Sequence, residues 1–330
     1  MANQVDIKEN YIAALDGKLL DILLKDNTTG ANIIWATDHY EKFGLLYKSN
    51  KPILPFLITG NNGEIIKPRV KKTKAEQLSR IRGKAEVFTP SWVCNCQNNL
   101  VDDAWFGYKS AFNTEGEKSW TVNSAPVDFS KTNGRTWQDY INDVRLEVAC
   151  GEAPYLVSRY DTVSGKEIAI PNRIGLLDRK LRVICENVDD NAEWYSWAIK
   201  AFQSVYGYEW QGDNLLLARE NLLFTFIDYY KYKFCEKPSM KQLTEIAEIV
   251  SWNVWQMDGL KFVIPNSCIN DTQVQLSLLD AKPTGIICEG CAKNRPHKHN
   301  GIYCKIKNWQ TGRKCKFISL LKREKNDGKD

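Results

Sequence analysis

The sequence predicts an α/β protein built on a parallel sheet, and three observations carry that prediction. Helix-like and strand-like apolar runs alternate through "TWQDYINDV", "RLEVAC", "SWAIKAFQSVYGYEW", "NLLLARENLLFTFIDYYKYKF", "SMKQLTEIAEIVSWNVWQM" and "GLKFVIP", the order expected of strands joined by helical crossovers. The run "RLEVAC" ends in the turn Cys150-Gly151 before a polar connection, as strands do at the carboxyl edge of a doubly wound sheet. The alternation stops after Asp271, where a linker leads to a Cys/His-rich tail.

The N-terminal elements precede this pattern. Residues 7–25 show helical apolar spacing at Ile12, Leu15, Leu19, Leu20 and Leu23. "NTTGAN" breaks that helix, and "NIIWATDHY" reads as a short strand. "PILPFLITGNNGEIIKP" reads as a hairpin turning at Asn61-Asn62-Gly63. The basic segment 67–84 reads as a helix or arm, and a helix should start near Ser91, just after Pro90. Residues 113–135 are Gly-, Asn- and Ser-rich and read as a loop or insertion. Three regions follow: an α+β region with a basic arm (1–82), an α/β domain (83–270), and a linker with a Cys/His tail (271–330).

The composition bounds the class. A chain of 330 residues with 43% hydrophobic content can bury a sizeable core, which excludes a disordered chain. The start, "MANQVDIKEN", lacks a signal pattern, and no apolar run approaches a membrane span, so a cytoplasmic protein without a membrane partner is expected. Ten cysteines are then reduced thiols or metal ligands. The net charge is only +5, but the basic residues cluster. Segment 67–84 has eight Lys/Arg against one Glu, and residues 288–330 have twelve against four Asp/Glu. Two such blocks point to a polyanion, most simply nucleic acid, and the sequence alone leaves open whether that is double-stranded DNA or RNA. Lys71, Lys72, Lys74, Arg80 and Arg82 in the first block are candidate phosphate contacts, as are Lys298, Lys305 and Arg313 in the second.

The tail carries the strongest local signal. "CEGCAKNRPHKHNGIYCK" has the spacing C-x2-C-x5-H-x-H-x4-C. Thiolates three positions apart, with an imidazole and a further thiolate, suit tetrahedral zinc in a closed structural site. The expected ligands are Cys288, Cys291, Cys304 and His299, with His297 as the alternative imidazole and Cys315 in reserve.

The quoted segments also carry a family resemblance. "EVFTPSWVCNCQNNLVD" resembles the FTP-type segment that opens the catalytic domain of N6-adenine DNA methyltransferases of restriction–modification systems. "LEVACGEAPYLV" is similar to their first S-adenosylmethionine motif, and "VYGYEWQGDNLLLARENLL" to the second. "IVSWNVWQMDGL" stands where the third is expected, so the resemblance covers residues 83–262. It implies a Rossmann-like S-adenosylmethionine-dependent methyltransferase domain acting on adenine in DNA, with a restriction or specificity subunit as a further partner. Phe88, Thr89 and Pro90 would pack on the methionine end of the cofactor. Glu147 would hold its amino group, Cys150 and Gly151 would form the turn beneath it, Glu209 would accept from the ribose hydroxyls, and Asp258 would face the adenine.

The departures are specific. Val148 stands where the family has proline, and Ala153 where it has a second glycine. The catalytic motif [DNS]-P-P-[YFW], which polarises the target amine and stacks on a flipped base, is absent from the sequence. Pro154-Tyr155 is the nearest counterpart, but it competes with the cofactor turn for the same residues. Two readings follow: an active adenine-N6 methyltransferase, or a catalytically degenerate DNA-binding subunit that needs a partner. A nuclease or other DNA-processing enzyme on the same type of fold is the third class, and no PD-(D/E)xK or HNH spacing supports it.

Overall fold

The structure, a computed structural model, describes residues 9–84, 86, 89–275 and 282–321. Two short helices, α1 (Glu9–Leu15) and α2 (Gly17–Leu24), open it; Asp16 caps α2 by accepting from the Lys18 N–H at 2.9 Å. The expected strand "NIIWATDHY" is not part of a sheet. Ile34 makes one isolated bridge with Pro52, and its backbone is held by the side-chain amide of Gln256. The expected hairpin is absent too: Pro55 starts the one-turn helix α3 (Pro55–Ile58), because its fixed φ suits a first helical position. The basic segment forms α4 (Lys74–Lys84). Helix α5 (Ser91–Phe106) begins after Pro90 as expected and ends at Gly107, whose φ of 77° lies in the left-handed region. The region read as a loop holds the hairpin β1 (Asn113–Gly116) and β2 (Ser119–Val122).

The α/β unit follows. Helix α6 (Trp137–Asn142) starts with a capping box between Thr136 and Asp139 and leads into β3 (Arg145–Val148). Helix α7 (Leu176–Asn187) lies in what reads as a polar connection. Its polar run is buried: Arg179 pairs with Asp102 at 2.6 Å, and the Lys180 ammonium donates to the Ile141 carbonyl and the Ser204 hydroxyl. Then come α8 (Asn191–Gln203), β4 (Val205–Glu209), α9 (Gly212–Phe234), α10 (Met240–Asn253) and β5 (Val254–Gln256). Helices α7 and α8 carry the chain from β3 to β4, and α9 and α10 from β4 to β5, so the three strands are parallel, in the order β3-β4-β5. The protein is thus mixed α/β with a small parallel sheet, and β3 lies at its edge.

The core does not divide at residue 82. Helix α2 packs on α10, and Ile12, Leu19 and Leu23 join the same buried cluster as Leu156, Trp194, Leu216 and Val254. The opposite sheet face carries a smaller cluster. Tyr208 and Trp255 meet Met257, Ile264, Cys304, Ile306 and Phe317 from the C-terminal segments. Leu146 and Val148 belong to that second face by register, opposite Tyr206 and Tyr208, yet they are 44% and 62% exposed.

The tail contains the antiparallel pair β6 (Asp271–Gln275) and β7 (Lys282–Ile286), the short helix α11 (Glu289–Lys293), and the ribbon β8 (Lys305–Lys307) and β9 (Lys314–Lys316). The expected strand "GLKFVIP" reduces to one bridge between Val263 and Tyr303. Among the described residues, no helix is long and apolar enough to cross a membrane.

Candidate functional site

The parallel order brings the ends of β3, β4 and β5 side by side, with Cys150, Gly151, Glu209 and Asp258 at or just past those ends. The turn after β3 is tightly wound. Ala149, Gly151 and Ala153 have φ of 49°, 54° and 63°, a left-handed conformation that disfavours any residue with a Cβ. Cys150 fills the space under the turn: its N–H donates to the Tyr208 carbonyl, and a Cβ at Gly207 would come within 3.2 Å of its sulfur. Burial pushes the Cys150 thiol well up, so it acts as packing and not as a nucleophile.

The two acidic residues close the turn. Glu209, at the end of β4, accepts from the Gly151 N–H at 2.9 Å and from the Gln211 N–H at 3.1 Å. Glu147, on β3, accepts from the N–H groups of Tyr155 and Leu156 at 3.3 and 3.1 Å. Both are buried. Burial pushes Glu147 up to about 8 against the lowering effect of those two donors, and the Glu209 charge adds to the rise. Burial likewise raises Glu209. A third carboxylate, Glu152, accepts from the Arg69 N–H at 2.6 Å and the Tyr160 hydroxyl at 2.5 Å, tying the N-terminal region to the turn.

Thr89 and Pro90 stand beside this loop. The Thr162 hydroxyl donates to the Thr89 carbonyl at 2.9 Å, the Ser91 N–H donates to Asp161 at 2.8 Å, and Asn98 donates to the Tyr155 carbonyl at 3.0 Å. Phe88 lies outside the described residues. Pro154 and Tyr155 are half-buried in the loop between these contacts. Asp258, just past β5, accepts from the N–H groups of Leu260 and Lys261 at 3.0 and 3.1 Å, which accounts for it as a turn residue.

Two of the five cations expected to face DNA in the first basic block, Lys72 and Arg80, turn inward. Arg80 donates to Asp213 and to Glu86, both at 2.6 Å, and Lys72 lies 3.4 Å from Asp213. Both cations are buried, so they neutralise carboxylates inside the protein and cannot reach phosphates. The arrangement holds Asp213 well below the usual carboxylate range despite its burial. A cavity of about 360 Å³ opens on the outer side of this network, lined by His39, Lys42, Glu64, Lys67, Lys72 and Arg80. Lys74 and Arg82 are exposed and Lys71 is half-buried. In the tail, Lys298, Lys305 and Arg313 are exposed.

The tail gathers Cys268, Cys288, Cys291 and His299, whose ligand atoms all lie within 4.8 Å of one another and could hold a metal ion. The three sulfurs stand 3.6, 3.5 and 3.7 Å from the His299 Nδ1. Cys304, expected as the fourth ligand, is outside the group: it is buried in the second core, with its thiol donating to the Gln256 carbonyl at 3.3 Å. His297 is exposed beside a cleft with Tyr303 and Lys316. Cys268 takes the fourth place because β6 and β7 pair with Asp271 opposite Ile286, which returns Cys288 to Cys268. Its signal in the sequence was a thiol flanking the linker as Cys288 does on the other side. Two glycines admit the close approach: a Cβ at Gly290 would stand 2.6 Å from the His299 ring, and one at Gly301 would stand 3.0 Å from the Cys268 sulfur. Burial and the adjoining thiols push Cys268 up to about 12. At Cys288 burial is outweighed by donors from Asn300, Cys291 and His299, which bring it down to about 6.

No family model, curated protein or solved structure matches the chain.

Proposed function

We propose that the chain is a Rossmann-like S-adenosylmethionine-binding domain of an adenine-N6 DNA methyltransferase, or of the modification subunit of a restriction–modification system. The observation that supports this most is the contact between Glu209 and the Gly151 N–H. It joins the two most telling motifs of the resemblance at the ends of adjacent parallel strands, where such sheets bind ligands. The cofactor would supply an electrophilic methyl group. Glu147 would hold its ammonium and Glu209 its ribose hydroxyls, with Thr89 and Pro90 against the methionine end. The chain would contribute position more than acid–base chemistry.

The tail would hold zinc. Tetrahedral geometry with ligand distances of 2.3 Å to sulfur and 2.0–2.1 Å to nitrogen sets sulfur and nitrogen about 3.5 Å apart, and the three separations from His299 are 3.6, 3.5 and 3.7 Å. With four protein ligands and no open position, the ion would be structural.

A second reading, a degenerate subunit that needs a partner for catalysis, draws on two observations. The sequence lacks the Pro-Pro catalytic motif. Among the described residues the sheet ends at β3, with Leu146 and Val148 exposed there. The test is methyl transfer from labelled S-adenosylmethionine to an unmethylated, adenine-containing duplex, with N6-methyladenine read by mass spectrometry. Transfer by the chain alone supports the enzyme. Cofactor binding without transfer supports the subunit. Neither binding nor transfer rejects both.

A further inference from the structure

The two basic blocks read from the sequence part ways in the structure: the first turns Lys72 and Arg80 inward, while the second builds an outward face. In the ribbon β8–β9, Lys305 stands directly opposite Lys316, and Lys307 opposite Lys314. Between them Ile306 pairs with Cys315, and these two point inward to the second core. The alternation of a strand therefore puts four lysines on one face. Like charges directly opposite in an antiparallel pair are destabilising. Among the described residues no carboxylate forms an ion pair with any of the four. Three of them lie over aromatic rings instead: Lys307 is 4.0 Å from Trp309, Lys314 is 4.7 Å from Trp252 and Lys316 is 5.2 Å from Tyr303.

The ribbon is firmly seated. The Lys305 N–H donates to the Thr28 hydroxyl at 2.9 Å, and the Phe317 N–H to the Cys304 carbonyl at 2.8 Å. At its base the Tyr303 hydroxyl accepts from the His299 N–H at 2.9 Å, so the metal-binding cluster buttresses the strand that carries Lys305 and Lys307.

We propose that the outer face of this ribbon is the surface by which the chain grips the phosphate backbone of duplex DNA. Opposed lysines lie about 5 Å apart across the ribbon and those along a strand about 7 Å apart. Only a partner with closely and regularly spaced negative charge meets all four, and duplex DNA carries one per ~1.7 Å of axis. Lysine ammoniums act as point charges, without the fork that reads a base edge bidentately, so the face positions the duplex and reads no sequence. A two-stranded ribbon also has the width that the major groove admits. The inference rests on the reading of the chain as DNA-modifying, and it assigns that reading a surface.

The test is fluorescence anisotropy of a short labelled duplex against salt, using the full, metal-loaded chain. The variants are K305Q/K307Q/K314Q/K316Q, the pair K305Q/K316Q, and the remote control K237Q/K241Q, with metal content and circular dichroism confirming the fold. Each phosphate contact adds about 0.9 to the salt slope. The quadruple variant is expected to lose about 3.6 of slope and the pair about 1.8. Between about 50 and 200 mM salt the wild-type chain should then shed on the order of 100-fold more affinity than the quadruple variant. Unchanged slopes in folded variants overturn the ribbon while leaving DNA binding to another surface. A loss of slope seen only with single-stranded RNA overturns the duplex assignment. Cofactor binding by a wild-type chain that binds no DNA overturns the ribbon and leaves the cofactor pocket standing.

Discussion

Glu147 carries its carboxyl group into a buried position where, among the described residues, two backbone N–H groups meet it. Its pKa of about 8 in the fold, against 4.5 for the free side chain, means the folded state holds the proton more tightly. The stability this group contributes is complete below about pH 4.5 and is lost as pH rises through 8, by at most ~5 kcal/mol for a shift of this size. Glu152, Glu209 and Asp178 are raised by burial and act in the same direction, so the difference between wild type and Glu147→Gln isolates the one residue. Urea unfolding should show wild-type stability falling from pH 5 to 8 more steeply than that of Glu147→Gln. Equal slopes would mean the Glu147 carboxyl is solvated. A cofactor ammonium against Glu147 would restore its charge, which is why a group so costly to bury suits that place. Asp213 is the contrast: with Arg80 and Lys72 against it, it stays ionised and links α4 to the start of α9.

Among the elements, the tail tests the metal assignment most sharply. One zinc ion per chain is expected by atomic emission. Cys268→Ser and His299→Ala should lower the metal content, and Cys304→Ser and His297→Ala should keep it, since both lie outside the cluster. Metal lost on Cys304→Ser and retained on Cys268→Ser would contradict the structure. The sequence made the C-x2-C turn and His299 legible because those ligands lie within one short segment. Cys268 was not legible, because only the pairing of β6 with β7 brings it back. Helix α7 was hidden for a related reason: "LLDRKLRVICEN" looks solvated until Arg179 meets Asp102 and Lys180 meets the Ile141 carbonyl. The buried role of Arg80 escaped for the same cause, as a cation's partner far along the chain leaves no local signature. Local signals did place the start of α5 and the strand at Arg145–Val148, where proline and an apolar run act within a few residues.

Across the whole molecule, one core joins the N-terminal helices to the sheet, and the C-terminal segments cover part of the other sheet face. This layout leaves Thr89 and Pro90 beside the loop that follows β3 and seats the lysine ribbon over the second sheet face, with Lys314 over Trp252 next to the amino end of β5. Among the described residues it also leaves β3 without a second neighbouring strand. The account turns on the carboxyl edge of the sheet being a cofactor site, and calorimetric titration of S-adenosylmethionine into the metal-loaded protein tests it most directly. The prediction is saturable binding of one cofactor per chain, weakened roughly tenfold or more by Glu209→Gln, because hydrogen bonds to a charged carboxylate are worth ~1.5–3 kcal/mol. Absence of any binding to folded, metal-loaded wild-type protein would contradict it, and the turn at Gly151 would then be a bend held by Glu209 and nothing more.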